Sequence, residues 1–195
     1  MSWFDTSTTA ACARTHASAA EIVACFRDQG SLLDRLAFLI TADRATAEQA
    51  VSQACEITLQ GNSPFRDWLL EWAKAATIAA AISLQGDAIR VYEAMYKDRR
   101  CPPGEQVSQL DDERRAAGLA LLLQIEAQRV VAELDPLCRA ILVLRVAIRS
   151  SIQDCSLRLN VSRAATLAAN CHAMTWLDYH HTKPLENRHN LSYAL

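Results

Sequence analysis

Apolar residues recur at helical spacing along almost the whole chain. In TAEQAVSQACEITLQG, Ala47, Ala50, Val51, Ala54 and Thr58 fall on one face and Gly61 closes the run. The runs EIVACFRDQ, LLDRLAFLI, FRDWLLEWAKAATIAAAISL and AIRVYEAMYKDRR fill the rest of the first hundred residues. Most of them start at a residue suited to capping. Ser18 with Glu21 is a capping box, in which hydroxyl and carboxylate each satisfy a free backbone N–H. Ser31, Ser63 ahead of Pro64, and Asp87 are the next predicted caps, with Gly30 and Gly86 as stops. In the second half, one long helix is predicted over about 111–134. Asp135 before Pro136 starts LCRAILVLRVAI, and Ser151 with Asp154 opens IQDCSLRL. Asn160 suits a left-handed helix end, and Ser162 caps a last helix over about 163–180. No run alternates with the period of a strand.

CPPG, residues 101–104, cannot lie inside a helix, and the residues after it are polar through Arg115. The expected architecture is all-α, with two small helical domains joined by a Pro/Gly-containing linker. Its parts are a flexible lead-in over 1–17, a helical domain over 18–100, a linker over 101–115, a second domain over 116–180 and a loose tail over 181–195. Trp68 and Trp72, four apart on one helix, are expected to anchor the first core.

Composition narrows the function classes. Of 195 residues, 51% are hydrophobic and 22% charged, which is the balance of a globular protein. The net charge of −2 gives no global attraction to nucleic acid. The longest apolar run, LALLLQIEAQRVVAEL, is interrupted by Gln124, Glu126, Gln128 and Arg129, so no membrane span is expected. The opening residues lack the basic start and apolar core of a signal peptide, and a cytoplasmic location is expected. Seven cysteines with no Cys-x-x-Cys pair read as reduced, small, buried side chains. Cys171, His172, His180 and His181 do not have zinc-site spacing, so no metal and no cofactor is expected. No phosphate loop, Ser-His-Asp arrangement or paired-carboxylate motif points to an enzyme.

Residues 151–177 form the most specific constellation. A two-turn helix, a short turn and a second capped helix have the spacing of a helix-turn-helix. Ser156 supplies the small residue where the helices cross, with Cys155, Leu159, Val161 and Thr166 around the turn. Leu137, Ile141, Leu142, Leu144 and Val146 supply the core face of the preceding helix. Over residues 133–177, five arginines oppose three acids, a net of +2. After Arg163, however, no Lys or Arg occurs before Lys183.

The stretch ELDPLCRAILVLRVAIRSSIQDCSLRLNVSRAAT resembles region 4 of bacterial sigma factors of the extracytoplasmic-function type. Leu134, Arg139, Ile141, Leu144, Ser151, Asp154, Leu159, Val161 and Ser162 fit that pattern, with Asn160 where the family usually has Gly. In the first half, TAEQAVSQACEITL resembles the region 2 helix that contacts polymerase. PFRDWLLEWAKAA resembles the segment that follows it, through Phe65, Arg66, Trp68, Leu69, Ala73 and Lys74. The resemblance spans about residues 30–178 in family order.

The resemblance implies a non-enzymatic transcription-initiation protein that binds core RNA polymerase and promoter DNA. Glu48, Gln49, Ser52, Gln53 and Glu56 would dock on the polymerase β′ subunit. Arg66, Lys74, Arg158, Ser162, Arg163, Thr166, Asn170 and His172 would contact DNA, and an anti-sigma factor is a possible further partner. The departures from the family pattern gather at DNA contacts: Ala75 replaces an Asn, ATIAAAISL replaces polar and basic residues, and Ala169 and Thr175 stand at basic positions. The alternative is therefore a sigma-like interaction module, a mimic or partner-switching regulator, that has lost promoter binding.

Overall fold

The computed structural model describes residues 16–101 and 112–182. Within them the chain is all-α. The helices are α1 (Ala19–Asp28), α2 (Gly30–Thr41), α3 (Arg44–Gln60), α4 (Leu69–Leu84), α5 (Gly86–Tyr96), α6 (Asp112–Leu122), α7 (Ile125–Val131), α8 (Pro136–Ala147), α9 (Ile152–Leu159) and α10 (Arg163–Thr182). A short 3-10 turn, Arg66–Trp68, leads into α4. The only extended pairing among the described residues is an isolated bridge between His16 and Phe65.

Local chemistry sets most helix starts. The Ser18–Glu21 and Ser151–Asp154 capping boxes are both closed. Asp43 caps α3 through the Thr46 N–H, and Asp135 caps α8 through the Cys138 N–H. Hydrogen bonds from Ser18 hold the Glu21 carboxyl below its ordinary range, and those from Ser151 do the same for Asp154. A depressed folded-state value means that this stabilisation is complete above the unfolded-state pKa. It is lost as pH falls through the folded value. Thermal melts followed by circular dichroism should therefore show the midpoint dropping below pH ~4, less steeply in an Asp154→Ala variant.

Several predicted boundaries shift. Gly30 opens α2 rather than stopping α1, with Gln29 shared between the two helices, and Ser31 makes no cap. Ser63 and Pro64 precede the 3-10 turn instead of starting α4. Asp87 lies inside the first turn of α5. The long helix expected over 111–134 is two helices, broken at Leu123 and Gln124. Asp112–Arg115, expected as linker, are helical. Residues 102–111 of the linker, the lead-in before His16 and the tail after Thr182 lie outside the described residues.

Helices α2, α3 and α4 pack on one another, with α1 against all three. Helix α8 is the centre of the second half and also its junction with the first. It contacts α6, α9 and α10 on one side and α2 and α5 on the other. Every residue from Leu137 to Val146 is buried. A helix buried all round belongs inside a core, where each large apolar side chain stabilises by roughly 1.5–3 kcal/mol. Two arginines sit in this run, and hydrogen bonds account for them. The Arg139 guanidinium donates to the Ile40, Ala132 and Leu134 carbonyls, and Arg145 donates to the Ser150 carbonyl. The two halves are thus in direct contact through α8, not separated by the linker.

Candidate functional site

Two surfaces carry the candidate residues. The first is α3. Ala47, Ala50, Ala54 and Thr58 face inward at spacings of three and four, and Thr58 returns its hydroxyl proton to the Ala54 carbonyl. The opposite face presents Glu48, Gln49, Ser52 and Glu56 to solvent, while Gln53 is half-buried. Arg44 pairs with Glu48 at the helix start, 3.4 Å apart. Exposed Ile57 and Leu59 add apolar surface near the C-terminal end. The face is acidic and polar with an apolar margin, a composition suited to a basic partner helix.

Beside Glu48, a groove of about 650 Å³ opens between α2, α3 and α7. Asp34, Arg35, Phe38, Arg44 and Gln128 contribute to its lining. Burial and the neighbouring Glu48 raise the Asp34 carboxyl above its ordinary value, against the pull of Arg44. Arg35 reaches across to the Leu123 carbonyl at 3.1 Å and joins the first half to the α6–α7 break.

The second surface is the α9–turn–α10 unit. Asn160 takes the left-handed conformation at φ 51° and ψ 47°, which Asn tolerates better than most non-glycine residues. The Ser156 hydroxyl donates to the Val161 carbonyl at 2.7 Å, and Val161 N–H donates to the Ser156 carbonyl at 3.1 Å. These bonds close the turn. The Ser162 hydroxyl accepts from the Ala165 N–H at 3.4 Å, a weak cap on α10.

The face of α10 that would read a groove is occupied. Thr166 and Asn170, expected to contact groove edges or backbone of DNA, are both 0% exposed. Thr166 spends its proton on the Ser162 carbonyl, and Asn170 points into the core. Ser162 N–H donates to the Glu93 carboxylate of α5 at 2.7 Å, so an acid holds the end of the helix where a phosphate would approach. His172 is exposed at its edge, but its Nδ1 lies 3.1 Å from the Tyr96 hydroxyl. Tyr96 donates to the Asp135 carboxylate at 2.7 Å. Its single proton is thereby used, so His172 Nδ1 is the donor in their contact. Burial and the hydrogen bonds with Cys138 and Asp135 push the Tyr96 phenol well above its ordinary value, which keeps it neutral.

Of the proposed DNA-contacting residues, Arg158 and Arg163 stand exposed at the turn. Arg66 is ion-paired with Glu21 at 2.9 Å, and Lys74 with Glu71 at 2.6 Å. Exposed apolar side chains accompany them: Leu157 is 69% exposed, and Ala164 and Leu167 are exposed on the first two turns of α10.

Trp68 and Trp72 are not core anchors. They are 67% and 50% exposed, and with Phe65 they form an aromatic surface at the start of α4. The core face of α4 is filled instead by Leu69, Ala73, Thr77, Ala80 and Ala81, one position out of phase with the tryptophans. A helix apolar on several faces does not reveal its phase in sequence.

The cysteines depart from expectation as well. Cys101 and Cys171 form a disulfide, with their Cα atoms 5.9 Å apart. Cys25, Cys55, Cys138 and Cys155 are free thiols. Among the described residues no three His, Cys, Asp or Glu side chains gather into a metal-binding group, and no helix is long and apolar enough to cross a membrane. No family model, curated protein or solved structure matches this chain.

Proposed function

We propose that this chain is a sigma-factor-like protein that acts through protein contacts, docking α3 on core RNA polymerase at the β′ subunit, and that promoter reading has been lost. One contrast carries this reading. The polar face of α3 is open, whereas Thr166 and Asn170 of α10 lie in the core and Arg163 is the one Lys or Arg on its outward face. Glu48, Gln49, Ser52 and Glu56 would make the contact, with Gln53 at its edge. A promoter-binding reading is the second choice because Arg158 and Arg163 are exposed on the two helices that flank the turn, where phosphate contacts would form.

Capture by purified core polymerase tests the proposal. Glu48→Lys with Glu56→Lys should weaken capture at least about tenfold, since both reverse the charge presented to a basic partner. Binding to promoter fragments should be weak. Two arginines neutralising two phosphates give a log–log salt slope of only about −2, against about −5 for a protein with six phosphate contacts. Unchanged capture by the double variant, or a steep slope abolished by Arg163→Ala, would reverse the preference between the two readings.

A further inference from the structure

We propose that Cys101 and Cys171 are a reversible thiol–disulfide site that governs whether α10 stays clamped to α5. The pair closes a seam of three contacts. Glu93 holds the Ser162 N–H at the start of α10, Tyr96 meets His172 at its middle, and the disulfide ties the chain five residues beyond Tyr96 to the residue next to His172. Cys101 Sγ also lies 3.5 Å from the Leu167 carbonyl, within the same helix. The covalent tie spans 70 residues of sequence, so α10 cannot part from the first half while it is intact.

The remaining described cysteines are poor redox candidates. Burial raises the thiols of Cys25 and Cys55, and raises Cys138 and Cys155 further, Cys155 to about 12. A thiol held protonated is neither a good nucleophile nor readily oxidised. Cys171 is 5% exposed, and Cys101 is the more accessible sulfur.

Reduction therefore begins at Cys101. A thiolate of a dithiol reductant attacks Cys101 Sγ, the S–S bond breaks, and Cys171 leaves as a thiolate that takes up a proton. The second thiol of the reductant then attacks the mixed disulfide and releases Cys101, which is also protonated. Two electrons and two protons pass to the protein, and the dithiol becomes a disulfide. What a released α10 meets rests on the sigma-like reading above; the clamp itself does not.

The test is hydrogen exchange on the full-length wild-type protein, oxidised with diamide or reduced with dithiothreitol, with no polymerase present. Reduction should speed exchange of the amides from Ser162 to His172 about tenfold or more while leaving α3 and α4 unchanged. The apparent unfolding equilibrium should shift by about 1000-fold toward the unfolded chain, the effect expected from opening a loop of this length. The double variant Cys101→Ser, Cys171→Ser should match the reduced protein, and the wild-type comparison stands without it. Identical exchange at 162–172 in both states, or failure of diamide to yield a linked 101–171 peptide, overturns the proposal. Loss of polymerase capture in both redox states would refute the functional reading and leave the clamp untouched.

Discussion

Arg139→Ala should cost about 3–5 kcal/mol of stability, measured as a lowered urea midpoint at neutral pH. Arg139 is 6% exposed, and its guanidinium binds three carbonyls: Ile40 at 3.1 Å, Ala132 at 3.2 Å and Leu134 at 2.8 Å. Ile40 lies in the last turn of α2, and Ala132 and Leu134 follow the end of α7. Terminal carbonyls have no partner within their own helix and carry the negative end of its dipole. One planar cation thus closes two helix ends belonging to different halves of the chain. Truncation to alanine leaves the carbonyls unpaired beside a cavity, and both effects act in the same direction. Lysine restores a charge but not the fork, so Arg139→Lys should recover only part of the loss. Arg139→Met tests the alternative that the side chain only fills space. If it matched the wild type within ~1 kcal/mol, the hydrogen bonds would have little net value.

The same residue illustrates what sequence can convey. Arg139 is a cation inside an apolar run, but one of its partners is 99 residues away and cannot be read from local pattern. Devices completed within a few residues were legible. The Ser18–Glu21 and Ser151–Asp154 boxes, the Asp135–Pro136 start and the left-handed Asn160 all form as their spacing predicts. The break at Leu123–Gln124 was not, because nothing in LLLQIEAQ stops a helix by propensity. The seam between α5 and α10 was also hidden. Glu93, Tyr96 and Cys101 carry no signal of their own until the fold places Ser162, His172 and Cys171 opposite them. The exposed face of α3 was legible, because the small residues at 47, 50 and 54 define the inward face and leave the polar one outside. On α10 the alternation of Ala, Thr, Asn and Cys is compatible with several rotations, so the residues of the inward face could not be chosen.

That rotation buries the Asn170 amide. Asn170 is 0% exposed, and neither its Oδ1 nor its Nδ2 has a hydrogen-bond partner among the described residues. Leucine has the same branching and heavy-atom count, though bulkier methyl groups, and it removes two buried polar groups and adds apolar contact. Asn170→Leu should raise stability by about 1–3 kcal/mol. Asn170→Asp should do the reverse, lowering stability by more than about 3 kcal/mol at neutral pH, because an isolated carboxylate would then be buried. Burial raises the pKa of such a group above its unfolded value. The folded chain would then hold a proton that the unfolded chain has released, so the deficit of the Asp variant shrinks as pH falls toward about 4. Urea titrations at pH 7 and pH 4.5 separate the two substitutions. The same pair discriminates between functions. If Asn170 read a base, Asn170→Leu would abolish promoter binding while the fold survived. With Asn170 in the core, the leucine variant should be more stable, keep polymerase capture intact, and show the same weak salt dependence toward DNA as the parent. A leucine variant destabilised by more than ~1 kcal/mol would mean either that the site does not accept the bulkier side chain or that Asn170 has polar partners in solution, such as a buried water; Asn170→Ala, which adds no bulk, separates the two.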